Sequence, residues 1–377
     1  MPGAVSRLIV SRVLARQPRN NFQQITGENR MNTRFKNTLH LSITSLCAVL
    51  AMALFVTLPA HAQVYIPGGR LTLVSNTPVM TADVSGATTI YYAAYVGNNV
   101  PTATGTTLQN SAFASQLTLS LNSGLQSGDI YDIFLVNNSG SLILCTGPAW
   151  NSPTSRGAGA GTTQLTLLNG LSVNANAIGN CLNGSTSLSV SAKSGFYLGS
   201  VYMTGNGQTS MQLRPSAAAG GTNNVLGLWN AYNRVRLTAY SRDSTSNWLY
   251  GTASWRAADN STSNKISFLD GLQQSSVTGN YSIMGASTVD TVGAYIGLNV
   301  DSSTTTPDIT STGASAAGET SASQPSVTET FYPLLGLHYI QAVEYASNPA
   351  GTSNCCANLF GFNANQQMMV LAVSLDM

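Results

Sequence analysis

Charge is what this chain has least of: only 8% of its 377 residues are Asp, Glu, Lys or Arg. Seven of the 16 basic residues (Arg7, Arg12, Arg16, Arg19, Arg30, Arg34 and Lys36) lie before residue 62. From Gln63 onward there are 9 basic and 13 acidic residues, a net of −4. Neutralising a phosphate backbone needs clustered Lys and Arg, so no nucleic-acid partner is expected. The tightest remaining basic group is Arg234, Arg236 and Arg242. Arg234 and Arg236 alternate on a strand-like segment, which reads as a solvated face.

Histidine is nearly absent too. Beyond residue 62 only His338 remains, between Leu337 and Tyr339, and it reads as a structural or interface residue. Nucleophilic hydrolysis usually needs an imidazole base beside the nucleophile, and no GxSxG occurs. Arg156-Gly157-Ala158-Gly159-Ala160-Gly161 is Gly-rich, but no Lys-Ser or Lys-Thr follows it, so it reads as a loop. There is no CxxC and no EF-hand spacing, so neither a metal nor a cofactor is expected. Glycoside hydrolysis needs two placed carboxylates. Glu319 and Glu329 lie in a Ser/Thr-rich stretch, and Asp129 and Asp132 read as turn caps. Distant carboxylates could still meet in the fold, but no catalytic residue is assigned.

Amphipathic helical periodicity is missing after residue 62 as well. Before it lies a leader. Met31 precedes Arg34 and Lys36, an uncharged run spans Leu41 to Leu58, Pro59 breaks it, and Ala60-His61-Ala62 follows. This is the pattern of a secretory signal, with cleavage expected after Ala62. Residues 1–30 read as an extension from a mis-assigned start. The mature chain is then exported (periplasmic, cell-surface or secreted) with no membrane span after cleavage. Cys47 is lost with the leader, leaving Cys145, Cys181, Cys355 and Cys356. An even number in an exported chain suggests disulfides. Adjacent cysteines pair only with strain, whereas Cys145 and Cys181 share one module and can close a loop.

What the chain does have is period-2 alternation and Gly/Asn turns. Expected strands are Arg70–Val74, Thr88–Tyr95, Gln116–Leu121, Tyr131–Val136, Ser141–Cys145, Gln164–Leu168, Thr186–Ala192, Phe196–Met203 and Thr209–Leu213. Further ones are Arg234–Tyr240, Trp248–Trp255, Lys265–Leu269, Tyr281–Met284, Val292–Val300, His338–Tyr345 and Met368–Leu375. The fold class is all-β, built as sandwich-like or jelly-roll-like modules. Three phrases recur in order. Trp150 returns as Trp255, Leu168-Asn169-Gly170-Leu171 as Leu269-Asp270-Gly271-Leu272, and Tyr197-Leu198-Gly199 as Tyr295-Ile296-Gly297. They suggest two related modules, 63–215 and 216–300. Residues 301–330 are half Ser or Thr, with Ile309 and Val327 as the only large aliphatics, and read as a flexible linker or exposed loop. Residues 331–377 would return to complete the second module.

Aromatic residues concentrate between the modules. Trp229, Tyr232, Asn233 and Arg234 fall within seven residues, with Trp248 and Trp255 nearby. Rings beside amides on β-scaffold loops suit a polar ligand such as a glycan, so these six form the candidate ligand site. The competing reading has Trp229 and Tyr232 plugging the seam between sheets.

Several phrases carry a resemblance: "PGGRLTLVSNTPVM", "IYYAAYVGNNVP", "GPAW…RGAGAGTTQLTLLNGLSVN", "YLGSVYMTGNGQT", "LWNAYNRV" and "LGLHYIQAVE". Together they resemble a family of uncharacterised phage and prophage β-structural proteins of tail or host-recognition type, over most of residues 66–346. The resemblance implies a β-rich recognition or structural role and transfers no catalytic residue. The leader and the tail from Gly351 depart from the family. Both suggest a phage-derived β-module recruited for export. The leading reading is a non-enzymatic surface binding or adhesion protein, with a cell-surface glycan or another surface protein as partner and a homo-oligomer left open. A structural or receptor-binding phage tail component comes second, and a secreted hydrolase third.

Overall fold

Each segment with period-2 alternation lies in or overlaps an observed strand in the computed structural model. The structure describes residues 64–287, 293–313, 322–347, 357–362 and 369–377. The extension at 1–30, the leader at 31–62, Cys355 and Cys356 lie outside the described residues. Among the described residues the chain is all-β, with one 3-10 turn at Ala258–Asn260 and no α-helix. No helix among them is long and apolar enough to cross a membrane.

Three sheets carry most of the first half. Gly69–Thr72, Thr89–Ala94 and Gln116–Ser120 form a small antiparallel sheet. Asn99–Ala103 and Leu108–Ala112 form a separate hairpin. The large sheet runs Thr186–Val190, Ile178–Asn183, Ser141–Ala149, Ile130–Asn138, Phe196–Tyr202, Leu171–Asn174 and Leu165–Leu168. Its central strand Ile130–Asn138 is buried for seven consecutive residues, as expected of a strand covered on both faces. Asn169 and Gly170 both have positive φ, so Asn-Gly closes the Leu165–Leu168/Leu171–Asn174 hairpin as a two-residue turn.

The second large sheet runs Val84–Ala87, Thr209–Met211, Asn223–Leu226, Lys265–Asp270, Gly336–Ala346, Ala294–Val300 and Thr310–Gly313. A four-stranded sheet joins Arg236–Ser241, Val370–Asp376, Val277–Ser282 and Ser326–Phe331. Another joins Trp248–Tyr250, Ala357–Phe360, Met284–Ser287 and Ala322–Ser323. The C-terminal strands thus pair with strands of residues 236–300. The pairing does not divide cleanly at residue 215, however. Leu228–Asn230 joins Phe196–Tyr202 in the first large sheet, while Val84–Ala87 sits in the second. Val64–Met377 forms one compact unit, and its buried apolar residues form one continuous core from Leu71 to Met377.

Two expectations need correction. The described parts of 301–330 are not a loose linker. Thr310–Gly313 pairs with Ala294–Val300, and Ser326–Phe331 pairs with Val277–Ser282. Ser326–Phe331 points Val327 and Glu329 inward and its hydroxyls outward, where Thr328 accepts from Asn280 at 2.7 Å and Thr330 bonds Thr278 at 3.2 Å. A Thr-rich segment needs little apolar content of its own when an existing sheet supplies backbone partners. One of the three sequence echoes also folds differently, whereas Tyr197-Leu198-Gly199 and Tyr295-Ile296-Gly297 hold the same place in the strands Phe196–Tyr202 and Ala294–Val300. Leu168-Asn169-Gly170-Leu171 is a hairpin turn. In Leu269-Asp270-Gly271-Leu272, Asp270 ends a strand, and its carboxylate accepts the backbone N–H groups of Leu272, Gln274 and Ser275.

Cys145 and Cys181 are disulfide-bonded across the neighbouring strands Ser141–Ala149 and Ile178–Asn183, and both are fully buried. Closing a loop of 36 residues restricts the unfolded chain by about 3–4 kcal/mol. Cys145→Ser with Cys181→Ser should therefore lose stability of that order in a denaturant melt. An unchanged midpoint would show that the bridge contributes nothing.

Candidate functional site

The six aromatic-cluster residues do not form one surface site. Trp229 has no exposed area. Its strand pairs with Phe196–Tyr202, placing Trp229 opposite Ser200. One glycine makes room for the indole and another for the Trp229 backbone. A Cβ on Gly271 would meet Trp229 Cε3 at 2.6 Å, and one on Gly199 would collide with the Trp229 carbonyl. Arg234 lies over the indole at 5.3 Å and donates to Ser275. Tyr232 stacks on Phe196 at 5.3 Å, and its hydroxyl accepts from the Ser172 N–H; burial pushes its phenol up to about 12. Asn233 donates to the carbonyls of Pro67 at 2.6 Å and Gly69 at 2.9 Å. Trp229, Tyr232, Asn233 and Arg234 are therefore seam packing: Tyr232, Asn233 and Arg234 bond to the chain itself, and the Trp229 indole N–H is buried with no partner among the described residues. The ring best placed to stack on a ligand is the one the core needs most.

Trp248 and Trp255 belong elsewhere. Trp248 donates its indole N–H to Glu344 at 2.8 Å, and Trp255 rests on Tyr345 at 5.4 Å. Arg256 pairs with Glu344 at 2.6 Å and lies over Tyr250 at 3.7 Å. The same chemistry recurs in the first half. There Trp150 donates to Asp132 at 3.1 Å, Arg156 pairs with Asp132 at 2.6 Å, and the guanidinium lies over Trp150 at 4.2 Å. Ser200 and Tyr197 complete that network at 2.7 Å from Asp132 and from each other, respectively. Asp132 and Glu344 are both fully buried on central strands, Ile130–Asn138 and Gly336–Ala346. Trp150, which the sequence echo equates with Trp255, is matched in chemistry by Trp248.

The titratable groups are similarly committed. Asp243 is buried and accepts from the N–H groups of Gly220 and Thr245 and from Asn264 at 2.8 Å. Asp259 accepts from the Thr245 hydroxyl; burial raises its carboxyl, with Asp243 adding to the shift. His338 faces Asp301 at 2.5 Å through Nδ1 and the Leu335 carbonyl at 3.0 Å through Nε2. Burial opposes its charge, but these two acceptors raise its pKa overall. No group of three or more His, Cys, Asp or Glu among the described residues is placed to hold a metal ion.

One open feature among the described residues is a cleft of about 330 Å³ lined by Ala103, Thr104, Val136, Asn137, Asn138, Leu188, Ser189, Val190, Ser191 and Ser194. Three elements build it. They are the tip of the Asn99–Ala103/Leu108–Ala112 hairpin, the end of Ile130–Asn138, and the edge strand Thr186–Val190 with the turn after it. The hairpin tip is docked by a bond from Gly105 N–H to the Lys193 carbonyl. Asn174 holds the following turn by donating to the Ser191 carbonyl at 2.9 Å and accepting from Gly195. Composition does not single out this region. A Ser/Thr/Asn rim looks like any other turn in this sequence, and the hairpin that closes the cleft has no strong alternation.

No family model matches the chain, and no curated protein matches it. Among solved structures, the mosquito-larvicidal Cry4Aa toxin from Bacillus thuringiensis is similar at 9% identity, with a TM-score of 0.20, over 84% of this chain and 59% of that one. A tryptic core variant of Bacillus thuringiensis Cry1Da is similar at 9% identity, with a TM-score of 0.17, over 82% of this chain and 52% of that one. This chain thus spans little more than half the length of either.

Two outcomes follow from these contacts. Trp229→Ala should lose about 3–5 kcal/mol in a thermal or denaturant melt, the cost of an unfilled aromatic site; an unchanged melt would contradict seam packing. Burial pushes Glu344 up to about 7, against the opposing pull of Arg256 and Trp248. A carboxyl raised in the folded state stabilises fully below its unfolded value, and that contribution is lost as pH rises through about 7. Asp259 and His338, raised as well, act in the same direction. The melting temperature should therefore fall between pH 5 and pH 8, and Glu344→Gln should flatten the slope. A melting temperature that rises over this range would overturn the assignment.

Proposed function

We infer that this chain is an exported, non-enzymatic binding or adhesion protein built on an all-β scaffold. The observation that carries the reading is the disposition of its hydrogen-bonding groups. Asp132, Asp243, Asp270 and Glu344 are buried and held by fixed donors. The open cleft, by contrast, is lined by hydroxyls, amides and aliphatic groups. General acid–base chemistry needs a carboxylate or imidazole within reach of the substrate. Recognition needs only donors and acceptors at fixed positions. The Cys145–Cys181 disulfide is in keeping with an oxidising compartment, as the leader at 31–62 requires. A cell-surface glycan or a second surface protein is the partner class, and a homo-oligomer is compatible with it.

The tail-component reading draws on the phage-like phrases, several of which form central strands, "YLGSVYMTGNGQT" and "LGLHYIQAVE" among them. Export separates the two readings. Protein recovered from the periplasm, cell surface or medium should begin at Gln63 and be retained by intact bacterial cells without releasing product. A chain found only in the cytoplasm with residues 31–62 intact would favour the tail component. Saccharide or peptide release from those cells that Asp259→Asn abolishes would favour a hydrolase.

A further inference from the structure

The cleft between the hairpin tip and the edge strand has a chemistry that selects its ligand. We propose that it binds an uncharged, polyhydroxylated ligand, one or two units of a neutral saccharide, an assignment that rests on the binding-protein reading above and narrows it.

Size comes first. About 330 Å³ lies at the lower end of ligand-pocket volumes, enough for one or two sugar rings and too small for a folded partner's loop. The division of its lining comes second. Val136 and Val190 are buried and Leu188 is half-buried, so they supply an apolar floor. Asn138, Ser189 and Ser191 also line the cleft, all exposed, and their side chains make no hydrogen bond among the described residues. Asn137 is only partly committed, accepting from the Gly140 N–H at 2.8 Å through Oδ1. A pyranose has one face of C–H groups and an equatorial ring of hydroxyls, so it presents apolar area to such a floor and both donors and acceptors to such a rim. An amide and a hydroxyl each donate and accept, which matches a sugar hydroxyl at either end of the bond.

Charge comes third. None of the lining residues is ionisable. Among the lining residues an anionic sugar or phosphate finds no cationic partner and a cationic ligand no carboxylate, so the lining favours a neutral ligand; Lys193, exposed on the turn between Ser191 and Ser194, is the cation that the charged glycans in the test would expose. The walls are fixed before binding. Asn174 holds the Ser191 backbone, Lys193 receives the hairpin tip, and the disulfide cross-links two strands of the same sheet. Pre-set walls reduce the ordering cost that a polar rim would otherwise impose. Binding should accordingly change little with salt, because no ion pair is involved.

The test uses the mature chain from Gln63 to Met377 on an array of neutral oligosaccharides of hexose and N-acetylhexosamine units, with sialylated and sulfated glycans alongside. The best-bound glycan is then titrated by calorimetry against the wild type, Asn138→Ala with Ser189→Ala, and Arg236→Ala as a surface control. All three substituted side chains are exposed, so melting temperatures should be unchanged. A neutral glycan bound by the wild type and weakened roughly tenfold or more in the double variant, with the control unaffected and affinity steady across salt, supports the site. A neutral glycan bound equally by the double variant overturns the site while leaving the binding-protein reading intact. Binding confined to sialylated or sulfated glycans overturns the ligand class. Binding to no glycan on the array, with retention by intact cells, overturns the saccharide proposal and leaves a protein partner. Failure of both overturns the binding reading itself.

Discussion

Buried backbone groups at the seams between sheets must find partners, and in this chain asparagine side chains supply them. Asn230 accepts from the Leu71 N–H at 2.6 Å and donates to the Leu71 carbonyl at 3.2 Å, reproducing a strand pair across a sheet boundary. Asn183 makes a similar but more exposed clip at the other edge of the small sheet. It accepts from Ser120 and donates to the carbonyls of Thr118 and Leu144. Asn233 ties the chain entering that sheet to the segment after Trp229, and Asn224 reaches the Tyr240 carbonyl at 2.6 Å. An unpaired buried peptide group costs about 1–3 kcal/mol, so each clip removes a penalty as much as it adds a bond. A neutral amide can do this at both ends without the desolvation cost of a charge. That is how a chain with so few ions joins several sheets around one core.

Two of the buried carboxylates sit in matched sets. Asp132 and Glu344 each take an indole N–H and a guanidinium, and each guanidinium lies over an aromatic ring. Other buried charges stand outside such sets: Asp243 and Asp270 are held by neutral donors, and the buried Arg70 guanidinium donates to the carbonyls of Pro78 and Asn233 and to the backbone oxygen of Met377. Burial pulls its pKa down to about 10, leaving it charged at neutral pH. It locks the first strand to the last residue across the length of the chain. These sets occupy central strands, where a lost partner would leave an uncompensated charge. Asp132 and Glu344 therefore serve to tie strands together.

Much of the secondary structure was legible, for identifiable reasons. Ile130–Asn138 and Phe196–Tyr202 carry runs of β-branched and aromatic residues, and Asn169-Gly170 carries the turn chemistry of a tight hairpin. Other strands carried no clear signal; Asn99–Ala103, Leu108–Ala112, Asn223–Leu226 and Ser326–Phe331 are among them, and they are short, polar or weakly alternating. Their strand state comes from a neighbour's free edge. The candidate site was misplaced for a related cause. The concentration of aromatic and amide groups at 228–234 is real, but the sequence does not say which way a ring points. Period and composition cannot distinguish a stacking platform from a plug.

The sequence by itself determined the all-β class, the position of most strands and the Cys145–Cys181 pairing, because these depend on local periodicity, turn chemistry and a small choice of partners. Tertiary structure alone decided that Leu228–Asn230 and Val84–Ala87 cross between sheets, that the Ser/Thr-rich stretch is partly strand, and that Trp229 is core. It also brought Asp132 to Trp150 and Arg156, and Glu344 to Trp248 and Arg256. Those outcomes rest on contacts between residues far apart in the chain, set by which buried polar group meets which partner, and no local pattern encodes that match.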